Sequence, residues 1–309
     1  MIKITHLRKT YDSVVAVDDI SFEVGSGEIY GLLGPNGAGK TTTINIVSGL
    51  LKQTSGSVEI AGHDLSREPK KAKAALGVVP QELALYPELS ARENLKFWGG
   101  FYGRGGAELS RRIEEMLDAV GLAARAKEPV KKFSGGMKRR LNLACGLVHG
   151  PKVLLLDEPT VGIDLQTRLR LLDVVKEEAR RGAAVLHTTH IMEEAEDLCD
   201  RVGIMDGGKI IAEGTVDELK AMLGEKDLLV LQGEMGDDIP AAGAEPIRDC
   251  EVVSAGEDRV ILAAPRGAEK LPGVIKHFEG AGSRIREVAL KEPGLETLFI
   301  KLTGRALRD

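Results

Sequence analysis

Two glycines, a lysine and a threonine stand near the N-terminus at a spacing that has chemical meaning. Four residues separate the glycines, and the segment reads Gly34, Pro35, Asn36, Gly37, Ala38, Gly39, Lys40, Thr41, Thr42. Glycines let the backbone curl until successive N–H groups point at one anion, and a following helix adds its positive N-terminal end. The pattern therefore predicts a loop that binds nucleotide phosphates, with the Lys40 ammonium on the β and γ phosphates and the Thr41 hydroxyl on Mg²⁺.

The elements that flank this segment decide whether the pattern is meaningful. A chain with 37 glycines could contain such a pattern by chance. Here a β-like run, Ile29–Leu33, precedes it, and a helical pattern from Lys40 to Leu50 follows it. A strand, a glycine-rich turn and a helix in this order favour nucleotide binding.

Two carboxylates follow a second apolar run. Val153–Leu156 has the composition of a buried strand, and Asp157 and Glu158 come directly after it. Because the ends of parallel strands point at the ligand crevice, Asp157 can join the Mg²⁺ shell and Glu158 can face the water that attacks the γ phosphate. A pair of helix-capping acids is the alternative, but it does not explain the long apolar run.

The remaining pattern is that of an α/β protein. Further strands are predicted at Ile2–Leu7, Ser21–Val24 and Ala184–Thr188, and a hairpin turn at 206–209, at the edge of the sheet. Further helices are predicted at Ser90–Tyr102, Leu109–Val120, Gly136–Val148 and Leu165–Ala179. This alternation is typical of a parallel sheet with helical crossovers.

Composition narrows the class of protein. The chain has 309 residues, 43% of them hydrophobic and 29% charged, which suits one large or two ordinary globular domains. The net charge of -5 leaves no basic excess for a nucleic acid backbone, so no nucleic acid partner is expected. No membrane span or secretory signal is evident, and Cys145, Cys199 and Cys250 have no metal-like spacing, which favours a reducing cytoplasm.

The segment Phe133–Arg140 indicates which kind of nucleotide-binding protein this is, because it contains Ser134, Gly135 and Gly136 shortly before the acidic strand. Here the chain resembles the ATP-binding-cassette family, whose other motifs occur in order at Tyr11, Gln81, Asp164 and His190. The resemblance covers Met1 to about Glu218. It implies the fold of a P-loop NTPase cassette, with a mixed sheet core and a helical subdomain at about 82–150.

The resemblance also implies roles for these residues. Tyr11 would stack on adenine, while Gln81 would bind Mg²⁺ and the attacking water. His190 would hydrogen-bond the γ phosphate and hold that water beside Glu158, which makes Glu158, His190 and Gln81 the expected catalytic set. An isolated tyrosine would more often be a surface aromatic, and an isolated histidine a structural one.

The serine and glycines at 134–136 would begin a helix whose free N–H groups cradle a γ phosphate. An ordinary N-cap is the alternative. By resemblance, this cradle completes the site of an opposing subunit, so two ATP-binding subunits enclose two ATP. Asp164 is a further nucleotide-binding residue that the resemblance implies. A second copy of this chain is the favoured partner, and a heterodimer stays open.

Separate transmembrane permease subunits are the second implied partner, which would place this chain on the cytoplasmic face of the membrane as a peripheral subunit. Aromatic residues concentrate after Gln81, at Tyr86, Phe97, Trp98, Phe101 and Tyr102. Most such stripes are core, but the family uses this region to hold the permease. We therefore expect docking near Leu83–Leu89 and on the exposed edge of the helix that follows.

The C-terminal part extends beyond a minimal cassette. We expect the cassette at 1–220 and a small α+β domain at 225–309, with strands at Leu228–Leu231, Val252–Ser254, Val260–Ala263 and Ile285–Leu290, and helices at Gly273–Glu279 and Leu295–Leu302. The segment Leu295–Arg305 resembles the tail of bacterial exporter subunits for drugs, sodium, lipids or polysaccharides. Leu165 stands where that family often has proline, which leaves Asp164 in place.

Three other classes stay open at this point. A cassette protein of translation or DNA repair shares the motifs, but usually has two cassettes or long coiled-coil insertions. A P-loop kinase or switch GTPase would lack the Ser-Gly-Gly cradle. A non-hydrolysing regulator would not need both Glu158 and His190. The sequence therefore favours an ATPase that powers transport, with export indicated by resemblance and the transported substrate unassigned.

Overall fold

The computed structural model describes residues 1–222, 224, 226–236, 240, 243–244, 247, 249–291 and 293–303. The chain forms two compact units, Met1–Ile211 and Ala212–Asp309. The predicted domain limits at 220 and 225 lie within the second unit, and the division into a cassette and an accessory domain at those limits stays a prediction. In the tail that resembles exporter subunits, Gly304 and Arg305 lie outside the described residues.

The first unit combines sheets and helices. Its strands are β1 (Ile2–Tyr11), β2 (Val14–Val24), β3 (Ile29–Leu33), β4 (Ser55–Ile60), β5 (His63–Asp64), β6 (Leu76–Val79), β7 (Val153–Asp157), β8 (Ala184–Thr189) and β9 (Arg201–Asp206), and β10 (Lys209–Thr215) starts in it. Its helices are α1 (Lys40–Val47), α2 (Pro69–Ala74), α3 (Ala91–Phe101), α4 (Gly106–Ala119), α5 (Gly135–Leu147), α6 (Leu165–Arg180) and α7 (Met192–Leu198). The predicted α/β class is confirmed.

The larger sheet positions the site. Its strand order is β10-β9-β3-β8-β7-β6, and the pairs from β9 to β6 are parallel. Every residue of β3, β7 and β8 is buried, as expected of parallel strands covered on both faces. Leu33 pairs with Thr189 and Asp157 pairs with Thr188. The three strands therefore end at the same edge of the sheet, where their loops meet.

A second, antiparallel sheet packs on the same core. Its order is β2-β1-β4-β5. Buried side chains of this sheet, of the larger sheet and of α1 form one hydrophobic cluster that includes Ile2, Val24, Leu32, Ile44 and Leu155. The apolar runs predicted the central strands, but β4, β5, α2, β6 and α7 were not predicted.

Local signals explain where the helices begin and end. Ser90 and Glu93 form a capping box at the start of α3, so the helix begins one residue after the predicted Ser90. The predicted helix from Lys40 to Leu50 is wrong at its end and stops at Val47. Gly49 has φ 71° there, a left-handed conformation that turns the chain out of the helix.

The second unit contains an antiparallel sheet between helices. Its elements are α8 (Val216–Ala221), β11 (Lys226–Glu234), β12 (Glu251–Ala255), β13 (Arg259–Pro265), α9 (Gly267–Gly280), β14 (Arg284–Lys291) and α10 (Leu295–Thr303). The sheet order is β12-β13-β11-β14. Leu229 and Leu262 pack with Phe278 of α9, whereas Val230 and Ile261 pack with Ile300 of α10. The predicted α+β composition is confirmed.

Candidate functional site

The loop between β3 and α1 has a shape that two of its glycines make possible. A Cβ atom on Gly34 would lie 2.1 Å from the Met205 carbonyl oxygen. Gly39 has φ 108°, and a Cβ atom there would lie 2.4 Å from the carbonyl oxygen of Ala16. Strands β2 and β9 therefore press against the loop, and a larger residue at either glycine would displace it. The predicted phosphate-binding residues form one continuous turn into α1, which contains Lys40, Thr41 and Thr42.

Lys40 is the buried cation of this site, with 4% exposure. Its Nζ donates to the carbonyl oxygens of Gly34 at 2.7 Å and Pro35 at 3.0 Å, within the curl of the loop. The same Nζ lies 3.2 Å from Oε1 of Glu158. A buried ammonium needs such partners, and phosphate oxygens could take their place.

Asp157 is positioned by hydroxyl groups on two elements. Its Oδ1 accepts from Thr41 Oγ1 at 3.2 Å and from Thr188 Oγ1 at 2.8 Å. Burial raises the pKa of Asp157, the neighbouring Glu158 adds to the rise, and the two hydroxyl donors and Lys40 oppose it. The Thr41 hydroxyl and the Asp157 carboxylate are hard oxygen donors, so together with phosphate oxygens they fit Mg²⁺.

Glu158 occupies a strained backbone position. Its φ is 46°, which is uncommon for a residue with a side chain, and it is 5% exposed. Its N–H donates to both the carbonyl and the hydroxyl oxygen of Thr188, each at 3.2 Å. The end of β8 thus holds the residue that follows β7.

His190 lies beside Glu158. Its Nδ1 is 3.3 Å from Oε1 of Glu158, no hydrogen bond joins the two atoms, and 28% of its side chain is exposed. Lys40, Asp157, Glu158 and His190 are therefore gathered at the common edge of β3, β7 and β8, as the sequence predicts.

Tyr11 and Gln81 lie at the surface of the first unit. Tyr11 is 46% exposed, and the ammonium of Lys9 lies 4.8 Å from the centre of its ring. Gln81 is also exposed, and its carbonyl oxygen accepts a hydrogen bond from Arg139 of α5. Among the described residues, no hydrogen bond joins the Gln81 side chain to Thr41 or Asp157. Their proposed contacts with nucleotide and Mg²⁺ stay predictions.

The predicted cradle at the start of α5 consists of Ser134, Gly135 and Gly136. Ser134 is exposed and caps the helix, its Oγ accepting from the N–H of Met137 at 3.3 Å. A Cβ atom on Gly136 would lie 3.3 Å from the side chain of Thr167. Asp164 accepts from the Thr167 N–H at 2.9 Å and from its hydroxyl at 2.8 Å, and these bonds lower the pKa of Asp164. The structure therefore brings Asp164 to the cradle.

Side chains that the sequence analysis did not identify hold the segment after Gln81. Asn142 of α5 donates to the Pro80 carbonyl oxygen at 3.3 Å and accepts from the Ala84 N–H at 3.0 Å. Asn94 of α3 donates to the carbonyl oxygen of Tyr86 at 3.1 Å and accepts from its N–H at 2.8 Å. Both asparagines are buried inside helices, and only the tertiary structure shows that their amides hold this backbone.

The aromatic residues of this region divide between core and surface. Trp98 donates its indole N–H to the Ala84 carbonyl oxygen at 3.1 Å, and Tyr102 stacks on His149 at 3.6 Å. Phe97 and Phe101 are 41% and 71% exposed. The two phenylalanines line a shallow, open depression of about 500 Å³ along α3.

Comparisons with known proteins identify the family of this chain. The family model "ABC transporter" matches residues 17–161. Over its whole length the chain is 41% identical to all of the linearmycin resistance ATP-binding protein LnrL of Bacillus subtilis. Across 96% of the chain and 93% of the relative it is 39% identical to the daunorubicin resistance ATP-binding protein DrrA3 of Streptomyces coeruleorubidus.

Solved structures similar to this chain are also ATP-binding cassettes. An ATP-binding subunit of an ABC transporter matches 72% of this chain and 93% of its own, with a TM-score of 0.68 and 32% identity. A dimeric ATP-binding cassette in a post-hydrolysis state, bound to ADP and Pi, matches 70% of this chain and 98% of its own, with a TM-score of 0.64 and 28% identity. The chain therefore belongs to the ABC transporter family, as an ATP-hydrolysing subunit of the exporter type.

Proposed function

We propose that two copies of this chain enclose two ATP molecules, each between the phosphate loop of one copy and the Ser134 cradle of the other. The observation that carries the proposal is the contrast in exposure within one chain. Lys40 and Glu158 are buried and lie 3.2 Å apart, while Ser134 and Gly135 are exposed at a helix N-terminus, where the first N–H groups have no partner within the helix. The exposed cradle suits a phosphate presented by a second subunit.

ATP and Mg²⁺ fit the donors that the chain offers. The loop N–H groups and the Lys40 ammonium would hold the phosphates, and the Tyr11 ring would stack on adenine. Thr41, Asp157 and Gln81 would hold Mg²⁺, which when bound neutralises charge on the phosphate oxygens.

Hydrolysis needs a base and a group that orients water. Glu158 would accept a proton from water as the water oxygen bonds to the γ phosphorus and the bond to the bridging oxygen of ADP breaks. His190 would hydrogen-bond the γ phosphate and keep the water beside Glu158. The products are ADP and inorganic phosphate, and loss of the γ phosphate removes the contact that favours the closed pair.

The transported molecule crosses a separate permease in this proposal. Within the described residues, no helix has both the length and the apolar character that a membrane crossing requires. We place the permease contact at Leu83–Leu89 and the exposed Phe97 and Phe101, which puts the subunit on the cytoplasmic face of the membrane. The names of relatives include linearmycin resistance, daunorubicin resistance and Nod factor export, so export is favoured and the cargo is not assigned.

The dependence of ATP turnover on protein concentration tests the shared sites. If each site needs two subunits, phosphate release at low concentration should rise with about the square of the protein concentration. The Glu158→Gln variant should release phosphate at least a hundredfold more slowly at every concentration. A rate strictly proportional to protein concentration, from dilution to saturation, would contradict the proposal.

A further inference from the structure

Three polar side chains outside the nucleotide-facing residues form a closed, buried network. His187 Nε2 lies 2.6 Å from Oε1 of Glu194, and Glu194 Oε2 accepts from the hydroxyl of Thr160 at 2.6 Å. His187 is 0% exposed, Glu194 2% and Thr160 3%. Nothing in the proposed chemistry of ATP uses any of the three.

Burying these polar groups costs free energy of folding, so their presence in the interior needs an explanation. Burial alone would raise the pKa of Glu194, but the hydrogen bonds from His187 and Thr160 hold it below its ordinary value. His187 Nδ1 is buried and has no hydrogen-bond partner among the described residues. A buried carboxylate and an unpartnered ring nitrogen cost more than an apolar filling of similar volume would.

The positions of the three residues indicate what the network does. Thr160 is two residues after Glu158, in the loop that leaves β7. His187 is in β8, three residues before His190, and Glu194 is in α7, four residues after it. The network therefore ties the loop that carries Glu158 to the elements on both sides of His190.

The backbone at Glu158 explains why such a tie is needed. A φ of 46° at a residue with a side chain persists only where the surroundings hold it. Thr188 of the neighbouring strand β8 accepts a hydrogen bond from the N–H of Glu158 itself. Two residues further along the chain, the Thr160 hydroxyl makes a second attachment by donating to Glu194. The Glu194 carboxylate is in turn held by His187.

We propose that His187, Glu194 and Thr160 are positioning residues that hold Glu158 and His190 in register for the attack of water. The inference rests on the proposed role of Glu158. It predicts a loss in kcat with a smaller change in KM for ATP, because, apart from the proposed contact of His190 with the γ phosphate, the groups of the same subunit proposed to bind ATP belong to the phosphate loop and Tyr11. A displacement of catalytic groups by about 1 Å can cost about a hundredfold in rate, so a loosened loop should cost tenfold or more.

The test compares variants of the full chain in steady-state ATP hydrolysis and thermal unfolding. His187→Leu should lower kcat about tenfold and leave KM within about twofold. His187→Gln keeps an N–H donor near Nε2 and should restore kcat to within about threefold of the wild type. His149→Leu is the matched control, because His149 is also buried with one bonded and one unpartnered ring nitrogen; it should lose stability but keep kcat.

A further variant separates positioning from folding. His187→Leu leaves the Glu194 carboxylate short of a partner, so it can fail by unfolding alone. The double variant His187→Leu, Glu194→Leu removes that carboxylate and should unfold near the wild-type temperature while its kcat stays about tenfold low. A stable double variant with wild-type kcat would overturn the inference.

The Glu158→Gln variant, measured in parallel, distinguishes a failure of the positioning role from a failure of the proposed function. If Glu158→Gln is inactive and the double variant is fully active, only the positioning role is wrong. If Glu158→Gln turns over ATP normally, the proposed function fails, and the network then has no catalytic pair to position.

Discussion

The edge of the central sheet and the start of α5 present chemical groups in opposite ways. At the sheet edge Lys40, Asp157 and Glu158 are each less than 6% exposed, and each contacts another side chain: Lys40 contacts Glu158, and Asp157 accepts hydrogen bonds from two threonines. At the start of α5, Ser134 and Gly135 are exposed. One region consists of buried groups bonded within the chain, and the other is a surface that a second molecule can reach.

The difference has a physical cause. Parallel strands end together beneath their covering helices, so polar groups at their ends are buried and must be bonded within the chain. A helix N-terminus leaves several N–H groups without partners, and Ser134 satisfies one of them, from Met137. In the proposed dimer, a single chain therefore supplies buried groups for one side of a phosphate and offers exposed groups for the other side to its partner.

The largest contrast is expected from the same substitution in the two regions. Gly34→Ala would place a Cβ atom 2.1 Å from the Met205 carbonyl oxygen, so ATP affinity should fall more than about a hundredfold and stability by several kcal/mol. Gly135→Ala has no atom within 4 Å of the added Cβ, so the variant should fold and bind ATP normally. Titration with a fluorescent ATP analogue and thermal unfolding measure both effects, and equal damage at the two glycines would refute the contrast.

A second contrast concerns the surface after Gln81. Tyr86→Ala or Leu85→Glu should abolish transport in membranes that contain the permease, because this surface is proposed to hold it, while ATP binding by the isolated subunit stays intact. Leu50→Glu is the control, since Leu50 is 77% exposed after α1 and is not among the residues proposed to contact the permease. Transport at the wild-type rate by both variants would exclude this docking surface.

Removal of the Ser134 hydroxyl should destabilise the fold less than Gly34→Ala does. Ser134→Ala deletes the N-cap of α5 and should lower the free energy of unfolding by about 1 kcal/mol. ATP binding by the single subunit should be unchanged and turnover about tenfold lower, because the lost hydroxyl is proposed to face the partner's phosphate. Denaturant unfolding, nucleotide titration and phosphate release separate the three quantities, and weakened ATP binding by the monomer would assign Ser134 to its own subunit's pocket.

The opposite end of α5 predicts no change in activity, only a change in stability that appears in acid. Burial lowers the pKa of His149 from 6.5 to about 4, with a bond to the Leu76 carbonyl oxygen opposing the shift. As pH falls from 6.5 to 4, the unfolded chain takes up a proton that the folded chain does not, so stability declines by up to about 3 kcal/mol. Denaturant unfolding at several pH values should show this slope in the wild type, and His149→Leu should flatten it; identical slopes would contradict the assignment.

Features that are local in the sequence were predictable, and those that depend on tertiary contacts were not. The loop before Lys40, and Asp157 after an apolar run, have spacings that indicate their chemistry directly. Thr188 and Asn142 become informative only when the sheet and α5 bring them to Asp157 and to the Ala84 backbone. The short elements β5 and α2 were missed because two and six residues show too little periodicity.

The oligomeric state of the Glu158→Gln variant in Mg-ATP, measured by its molecular mass in solution, tests the shared site most directly. Without hydrolysis the γ phosphate stays in place, so this variant should become a dimer with Mg-ATP and stay a monomer with Mg-ADP or without nucleotide. Adding Ser134→Arg to the same chain should keep it monomeric although it still binds ATP. The account is contradicted if Glu158→Gln binds Mg-ATP and remains a monomer, or if the Ser134→Arg combination dimerises equally well.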